Sequence, residues 1–121
     1  MKTKNPQTKG GSGSFRVVNN LLRGLQSLDS DMLKDQGIGL EEAVLLCCVS
    51  DRCKCQGDIA SETGLTATQA SRLLSKLESK GLLKREISLV DKRKMIFSLS
   101  PEGEKKLNAV TPLVSDYVKN K

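Results

Sequence analysis

Hydrophobic residues in the first third of the chain recur at spacings of three and four, the period of an amphipathic helix. They predict a helix over about residues 15–33, with an apolar stripe of Phe15, Val18, Leu22, Leu25, Leu28 and Met32. Gly37-Ile38-Gly39 ends this helix, and the mostly apolar residues 40–49 predict a second one. Residues 1–14 are polar and basic and finish in a glycine–serine run, which is typical of a flexible tail. The folded domain is therefore expected to span residues 15–121.

The middle of the chain carries the signals of two short helices joined by a turn. The first is predicted over about residues 57–63 and ends at Gly64, a residue type that readily adopts the left-handed conformation after a helix. Thr66 and Gln69 form a Thr-x-x-Gln capping box, which opens the second helix. The buried face of that helix follows the helical period as Ala70, Leu73, Leu74 and Leu77. This pattern predicts a helix-turn-helix unit.

Beyond Gly81 the hydrophobic period changes from about 3.6 to 2, which indicates β-strands. One strand places Leu83, Arg85, Ile87 and Leu89 on the same face, and the next strand does so with Met95, Phe97 and Leu99. Residues 90–93 would join the two strands as a hairpin, and residues 50–54 are expected to be a polar loop. Ser100 and Pro101 are the residue types of a helix start. The last helix carries Leu107, Val110, Val114, Tyr117 and Val118 on one side and contains Pro112, which is expected to bend it.

The predicted fold class is mainly α with a small β-hairpin wing (α+β). A helix-turn-helix followed by a hairpin is a winged helix-turn-helix, here over residues 40–99. Helices at residues 15–36 and 101–121 flank this core.

Positive charge is concentrated in the helix-turn-helix and hairpin. Residues 66–99 hold eight basic and three acidic side chains, a net charge of +5, whereas the whole chain carries +6. Such a distribution favours a polyanionic partner, because cationic side chains near phosphates release bound counterions.

The second helix of a helix-turn-helix enters the major groove of DNA, and a wing can reach the minor groove. Candidate DNA-binding residues of this helix are Thr66, Thr68, Gln69, Ser71, Arg72, Ser75 and Lys76. Those of the wing are Lys92, Arg93 and Lys94. The sequence therefore predicts a DNA-binding protein whose partner is double-stranded DNA.

Several other functions lack support in the sequence. The chain has no histidine, no glycine-rich phosphate loop and no recognisable carboxylate pair, so it is not expected to be an enzyme or to need a cofactor. Only three aromatic residues are present, too few for a base-stacking surface. No apolar run approaches the roughly 20 residues that cross a bilayer, so no membrane association is expected. The N-terminus lacks the apolar segment of a signal peptide, and a cytoplasmic, nucleoid-associated protein is the expectation.

Cys47, Cys48, Cys53 and Cys55 lie within nine positions. One interpretation makes Cys47 or Cys48 a small core residue and the other thiols incidental. A second makes the cluster a redox sensor, because Arg52 and Lys54 would favour thiolates at Cys53 and Cys55. A third makes it a zinc site, although side chains of adjacent residues project about 100° apart on a helix.

The chain resembles the MarR family of bacterial transcriptional regulators over about residues 39–107. The most specific match is Asp91-x-Arg93, then Leu99-Ser100-Pro101-Glu102-Gly103 after five residues. Further matches are Asp58-Ile59-Ala60, Gly64-Leu65-Thr66, Ser71-Arg72-Leu73-Leu74, Leu77-Glu78-Ser79-Lys80-Gly81-Leu82 and Lys84-Arg85.

This resemblance implies a homodimer, built from the flanking helices, that binds a pseudo-palindromic operator. By analogy Arg93 would insert at the wing and Asp91 would hold its guanidinium; the alternative is that the pair only shapes the turn. A repressor, controlled by an unknown small molecule or oxidant, is the expected role. The alternative is a winged-helix module that binds protein.

Overall fold

In a computed structural model, which describes residues 6–50, 54–90 and 94–120, helices surround a small sheet. The elements in chain order are α1 (Pro6–Gln36), α2 (Leu40–Ser50), β1 (Lys54–Cys55), α3 (Gln56–Thr63), α4 (Ala67–Ser79), β2 (Leu83–Ile87), β3 (Met95–Leu99) and α5 (Pro101–Lys119). Helices α3 and α4 are the helix-turn-helix, and β2 and β3 are the wing. The predicted fold class, a winged helix-turn-helix with flanking helices, is confirmed.

The sheet is antiparallel, with strand order β1-β3-β2. In the middle strand Phe97 lies opposite Arg85 on one side and Lys54 on the other. Strand β1 replaces the end of the polar loop expected over residues 50–54, and Lys54 is buried. Two residues are too few for an alternation of apolar and polar positions to appear in the sequence.

The helix-turn-helix begins and ends as its residue types predict. Helix α3 ends at Gly64, whose φ of 78° lies in the left-handed region. The Thr66 hydroxyl accepts a hydrogen bond from the Gln69 backbone N–H at 3.1 Å, and Gln69 Oε1 accepts one from the Thr66 N–H at 3.0 Å. The predicted capping box is therefore present, and it fixes the first turn of α4.

Helix α5 is fastened at its start to the segment between α4 and β2. Ser100 Oγ accepts a hydrogen bond from the Gly103 N–H at 3.0 Å and donates one to the Gly81 carbonyl at 2.6 Å. The Ser100 N–H also donates to the Leu82 carbonyl at 3.1 Å. Gly103 packs directly on that carbonyl, because a Cβ atom at position 103 would overlap the Leu82 oxygen. The helix then continues through Pro112.

Helix α1 begins at Pro6, nine residues before the start expected at Phe15. Residues 6–14 are therefore helical, contrary to the flexible tail predicted for them, and residues 1–5 lie outside the described part of the chain. Extending an existing helix by one residue is far less costly than nucleating a new one, so a glycine–serine run need not end it. The division into a tail and a domain at residue 15 stays a prediction.

A single core joins the helices to the base of the sheet. Its fully buried members include Met32, Ile38, Leu45, Leu46, Ile59, Leu74, Leu77 and Val110, with Phe97 beneath the wing. Only the C-terminal end of the α1 stripe reaches this core. Phe15 is 75% exposed and Val18 and Leu22 are half exposed, so the N-terminal half of α1 presents an uncovered apolar face.

Helices α1 and α5 meet closely at Gly24. A Cβ atom at position 24 would lie 2.6 Å from the Tyr117 hydroxyl oxygen, so the absence of a side chain lets the Tyr117 ring rest against α1. The two flanking helices therefore approach each other closely at this point. In the described part of the chain, no helix is long and apolar enough to cross a bilayer.

Candidate nucleic-acid interface

Helix α4 divides its residues sharply between core and solvent. Ala70, Leu74 and Leu77 are at most 1% exposed and hold the helix against the core. The opposite face is exposed over its whole length and consists of Thr68, Gln69, Ser71, Arg72, Ser75 and Lys76. Buried leucines on one face thus hold a polar face rigidly in solvent, which is what a helix that reads DNA requires.

Two of the predicted DNA-binding residues form hydrogen bonds that cap the start of α4. Thr66 and Gln69 bind each other's backbone N–H groups in the capping box. Bidentate recognition of adenine needs both the amide oxygen and the amide nitrogen of a glutamine, and the Gln69 oxygen is occupied. Base recognition would therefore fall mainly on Thr68, Ser71 and Arg72, near the N-terminal end of α4.

The exposed face of α4 carries uncompensated positive charge. Residues 66–77 include Arg72 and Lys76 and no acidic residue. Within the part of the chain that the structure describes, neither cation forms an ion pair. Among the described residues, then, nothing prevents these two side chains from binding an anion.

Lys80, by contrast, is bound inside the protein. Its Nζ donates to the Gly37 carbonyl and to Glu42 Oε2, each at 2.8 Å. Glu42 is 3% exposed, and its other oxygen accepts from the Gly39 N–H at 2.9 Å. Lys80 therefore joins the end of α4 to the turn between α1 and α2. The sequence offered one sign of this arrangement, an acid followed by a run of apolar residues in α2.

Arg85 is also engaged within the fold. Its Nη2 forms an ion pair with Glu78 Oε1 at 2.9 Å, and its guanidinium lies over the Phe97 ring at 5.1 Å. A guanidinium above an aromatic face is attracted by the negative charge of that face. The pair fastens β2 to the end of α4, and thus orients the wing relative to α4.

The wing extends the positive surface beyond α4. Lys84 and Lys94 are exposed on β2 and next to β3. The Ser88 N–H donates to the Lys94 carbonyl at 2.9 Å, so the hairpin ladder continues past the last strand residues. Asp91, Lys92 and Arg93, which were predicted to form the tip, lie outside the described residues.

The described cysteines occupy different environments. Cys47 is exposed, Cys55 is the residue that precedes α3, and Cys48 is partly buried against the core. Burial raises the pKa of Cys48 from 9.0 to about 11, helped by the hydrogen bond from its Sγ to Glu62 Oε1 at 3.3 Å and by the charge of that carboxylate. Cys53 lies outside the described residues. Among those that are described, no three cysteine, aspartate or glutamate side chains are grouped to hold a metal ion.

Cys48 is expected to react slowly with alkylating reagents. The thiolate is the reactive form, and a pKa of about 11 in place of 9.0 lowers its fraction at pH 8 about a hundredfold. Alkylation by iodoacetamide, located by fragmentation mass spectrometry, should therefore accelerate steeply as the pH approaches 11. Glu62→Gln removes the carboxylate and should speed the reaction at pH 8. Equal rates at Cys48 and at a free cysteine would contradict this assignment.

The helix-turn-helix of α3 and α4, followed by the wing, places this protein in the winged helix-turn-helix class. The sequence profile of the MarR family matches residues 55–94, from the start of the helix-turn-helix to the wing. No curated protein sequence matches significantly. Over these residues the chain is similar to the MarR family. Proteins of that family are transcriptional regulators, and this similarity supports the prediction that the chain is not an enzyme.

Solved structures share the whole architecture. AbsC, a MarR family transcriptional regulator from Streptomyces coelicolor, is 20% identical with a TM-score of 0.82, over 99% of this chain and 81% of its own. The transcriptional regulator BldR from Sulfolobus solfataricus is 16% identical with a TM-score of 0.79, over 97% and 84%. MepR from S. aureus, solved in complex with DNA, is 26% identical with a TM-score of 0.75, over 90% and 80%.

Proposed function

We propose that this protein is a sequence-specific regulator of transcription that binds double-stranded DNA. The observation that carries the proposal is the rigid, exposed face of α4, on which Arg72 and Lys76 are unpaired among the described residues. The similarity to MepR, which was solved on DNA, supports it.

Each exposed side chain of α4 has a chemical role that fits the major groove. The guanidinium of Arg72 can donate two parallel hydrogen bonds to guanine O6 and N7. Thr68 and Ser71 can bond either base edges or phosphate oxygens, and Lys76 suits a phosphate as a point charge. The wing would lie along the adjacent minor groove, where Lys94 and the sequence neighbours Lys92 and Arg93 meet the narrower phosphate walls.

We further propose that the protein acts as a homodimer on a pseudo-palindromic operator. The N-terminal half of α1 exposes an apolar face large enough to need a partner: Phe15, Val17, Val18, Leu21 and Leu22 are each at least 46% exposed. A second copy would cover this face and place two α4 helices one helical turn of DNA apart.

Repression is the direction that this geometry favours. A dimer that fills two major grooves and the adjacent minor grooves would exclude other proteins from the same DNA. Such a protein would act in the cytoplasm, on the nucleoid. A small molecule or an oxidant would relieve repression by altering the spacing of the two α4 helices within the dimer.

The test is the salt dependence of DNA binding. Log K should fall linearly with log salt concentration, with a slope of about −0.9 for each phosphate contact. Lys76, Lys94 and the neighbouring Lys92 and Arg93 offer four phosphate-binding cations per protomer, so a slope of about −4 or steeper is expected. Fluorescence anisotropy with random duplex, from about 50 to 300 mM salt, measures it. Absence of binding at the lowest salt would refute the proposal and favour a protein-binding module.

A further inference from the structure

The outer half of the wing exposes apolar side chains that the core does not use. Leu89 and Val90 are 94% and 97% exposed, and Ile87 and Met95 are 56% and 42% exposed. These four residues are here called the wing apolar patch. At the base of the same hairpin Leu83 and Phe97 are 3% and 2% exposed. The patch thus lies outside the core, and exposed apolar groups of this kind mark interaction surfaces.

Backbone hydrogen bonds hold the patch in a defined conformation. Ile87 and Met95 are direct partners in the β2–β3 register, so their side chains share one face. Beyond them the Ser88 N–H donates to the Lys94 carbonyl at 2.9 Å, and the Val90 N–H donates to Ser88 Oγ at 3.2 Å. These bonds restrain the backbone that carries Leu89 and Val90, which lowers the conformational entropy lost on binding.

The charges around the patch identify the chemistry of its partner. Lys94 is exposed next to Met95, and Asp91, Lys92 and Arg93 follow Val90 in the sequence, so residues 90–94 carry a net charge of +2. The nearby Glu86 is engaged by the Ser98 hydroxyl at 2.9 Å. A second copy of the wing would bring like charges together, and the larger apolar face of α1 already provides a surface for a partner copy. An anionic partner with apolar walls fits best, and a DNA minor groove has that composition: deoxyribose sugars line it and phosphates border it.

We infer that the wing apolar patch packs on the sugar walls of the minor groove and contributes a part of the DNA affinity that does not depend on salt. The inference rests on the proposed function, since it requires the wing to lie on DNA. It adds the four residues of the wing apolar patch to the proposed DNA interface. Charge alone would assign only Lys92, Arg93 and Lys94 of the wing to that interface. Burial of apolar surface releases no counterions, so this contribution should persist at high salt.

The experiment compares the double variant Leu89→Ser/Val90→Ser with the full-length wild type by fluorescence anisotropy across a salt series. The double variant should bind duplex about tenfold more weakly at every salt concentration, with the slope of log K against log salt unchanged. The matched control Leu89→Met/Val90→Ile keeps the patch apolar and should bind like the wild type. Lys94→Gln should instead make the slope shallower by about 1.

The outcomes separate this inference from the proposed function. Wild-type affinity in the serine variant, with the wild type itself bound to DNA, overturns the inference and leaves the function intact; the patch would then serve a protein partner. A shallower slope in the serine variant also overturns it, because the loss would be electrostatic. Failure of the wild type to bind any duplex refutes the proposed function and the inference with it.

Discussion

Replacing Gly103 by alanine is expected to lower the free energy of unfolding by about 3 kcal/mol or more, the upper range for inserting a methyl group into a packed site. The added Cβ would overlap the Leu82 carbonyl oxygen, a backbone atom that no side-chain rotation can move away. The first turn of α5 would have to shift. That shift would strain the hydrogen bonds from Ser100 to Leu82 and Gly81. Urea denaturation followed by circular dichroism measures the change.

Gly57→Ala is the matched control for this substitution. Gly57 is also a helical glycine, but a Cβ atom there meets nothing within 4 Å. Alanine favours a helix over glycine by about 0.5–1 kcal/mol, so this variant should be as stable as the wild type or slightly more stable. If both variants unfolded at the same urea concentration, close packing against Leu82 would not be the reason that position 103 requires a glycine.

Arg72→Ala is expected to weaken binding to the preferred operator by about tenfold to a hundredfold and to relax the choice of base at one position in each half-site. A bidentate arginine–guanine contact contributes roughly 1–3 kcal/mol of discrimination. Because such a contact is made to a base and not to a phosphate, the salt slope should change little. Selection of bound duplexes from a random pool, with wild type and variant in parallel, would reveal the relaxed position.

Lys105→Ala provides a charge-matched control for Arg72→Ala. Lys105 is exposed on α5, outside α4 and the wing, and its removal lowers the net charge by the same amount. It should leave the selected operator unchanged. If the Arg72→Ala variant selected bases as stringently as the wild type at every operator position, Arg72 would not take part in base recognition. A selected sequence with two-fold symmetry would support the homodimer.

The sequence predicted those parts of the fold that local chemistry controls. Thr66 and Gln69 predicted the start of α4, because a capping box depends only on two residues that lie three positions apart in the sequence. Ser100 and Pro101 predicted the start of α5, because they are typical of the N-cap and first position of a helix. The outward face of α4 followed from the spacing of Ala70 and its leucines, because a helix with one apolar stripe has only one face to bury.

Contacts between distant residues could not be predicted in this way. Lys80 counted as a free cation in the sequence, yet its partners Gly37 and Glu42 lie about 40 positions earlier. Strand β1 pairs with Phe97 and Ile96 of β3, which lie about 40 positions later in the chain. The exposure of Leu89 and Val90 is likewise a property of the assembled wing, since an alternating strand gives no indication of where the covering core ends.

The contact between Gly24 and Tyr117 has a practical consequence. Tyr117 is the sole tyrosine of the chain, and the chain has no tryptophan. Its ring lies at the meeting point of the first and last helices. Ultraviolet emission excited through tyrosine therefore originates from one known location. The protein thus carries an intrinsic optical probe that follows the separation of these two helices without any added label.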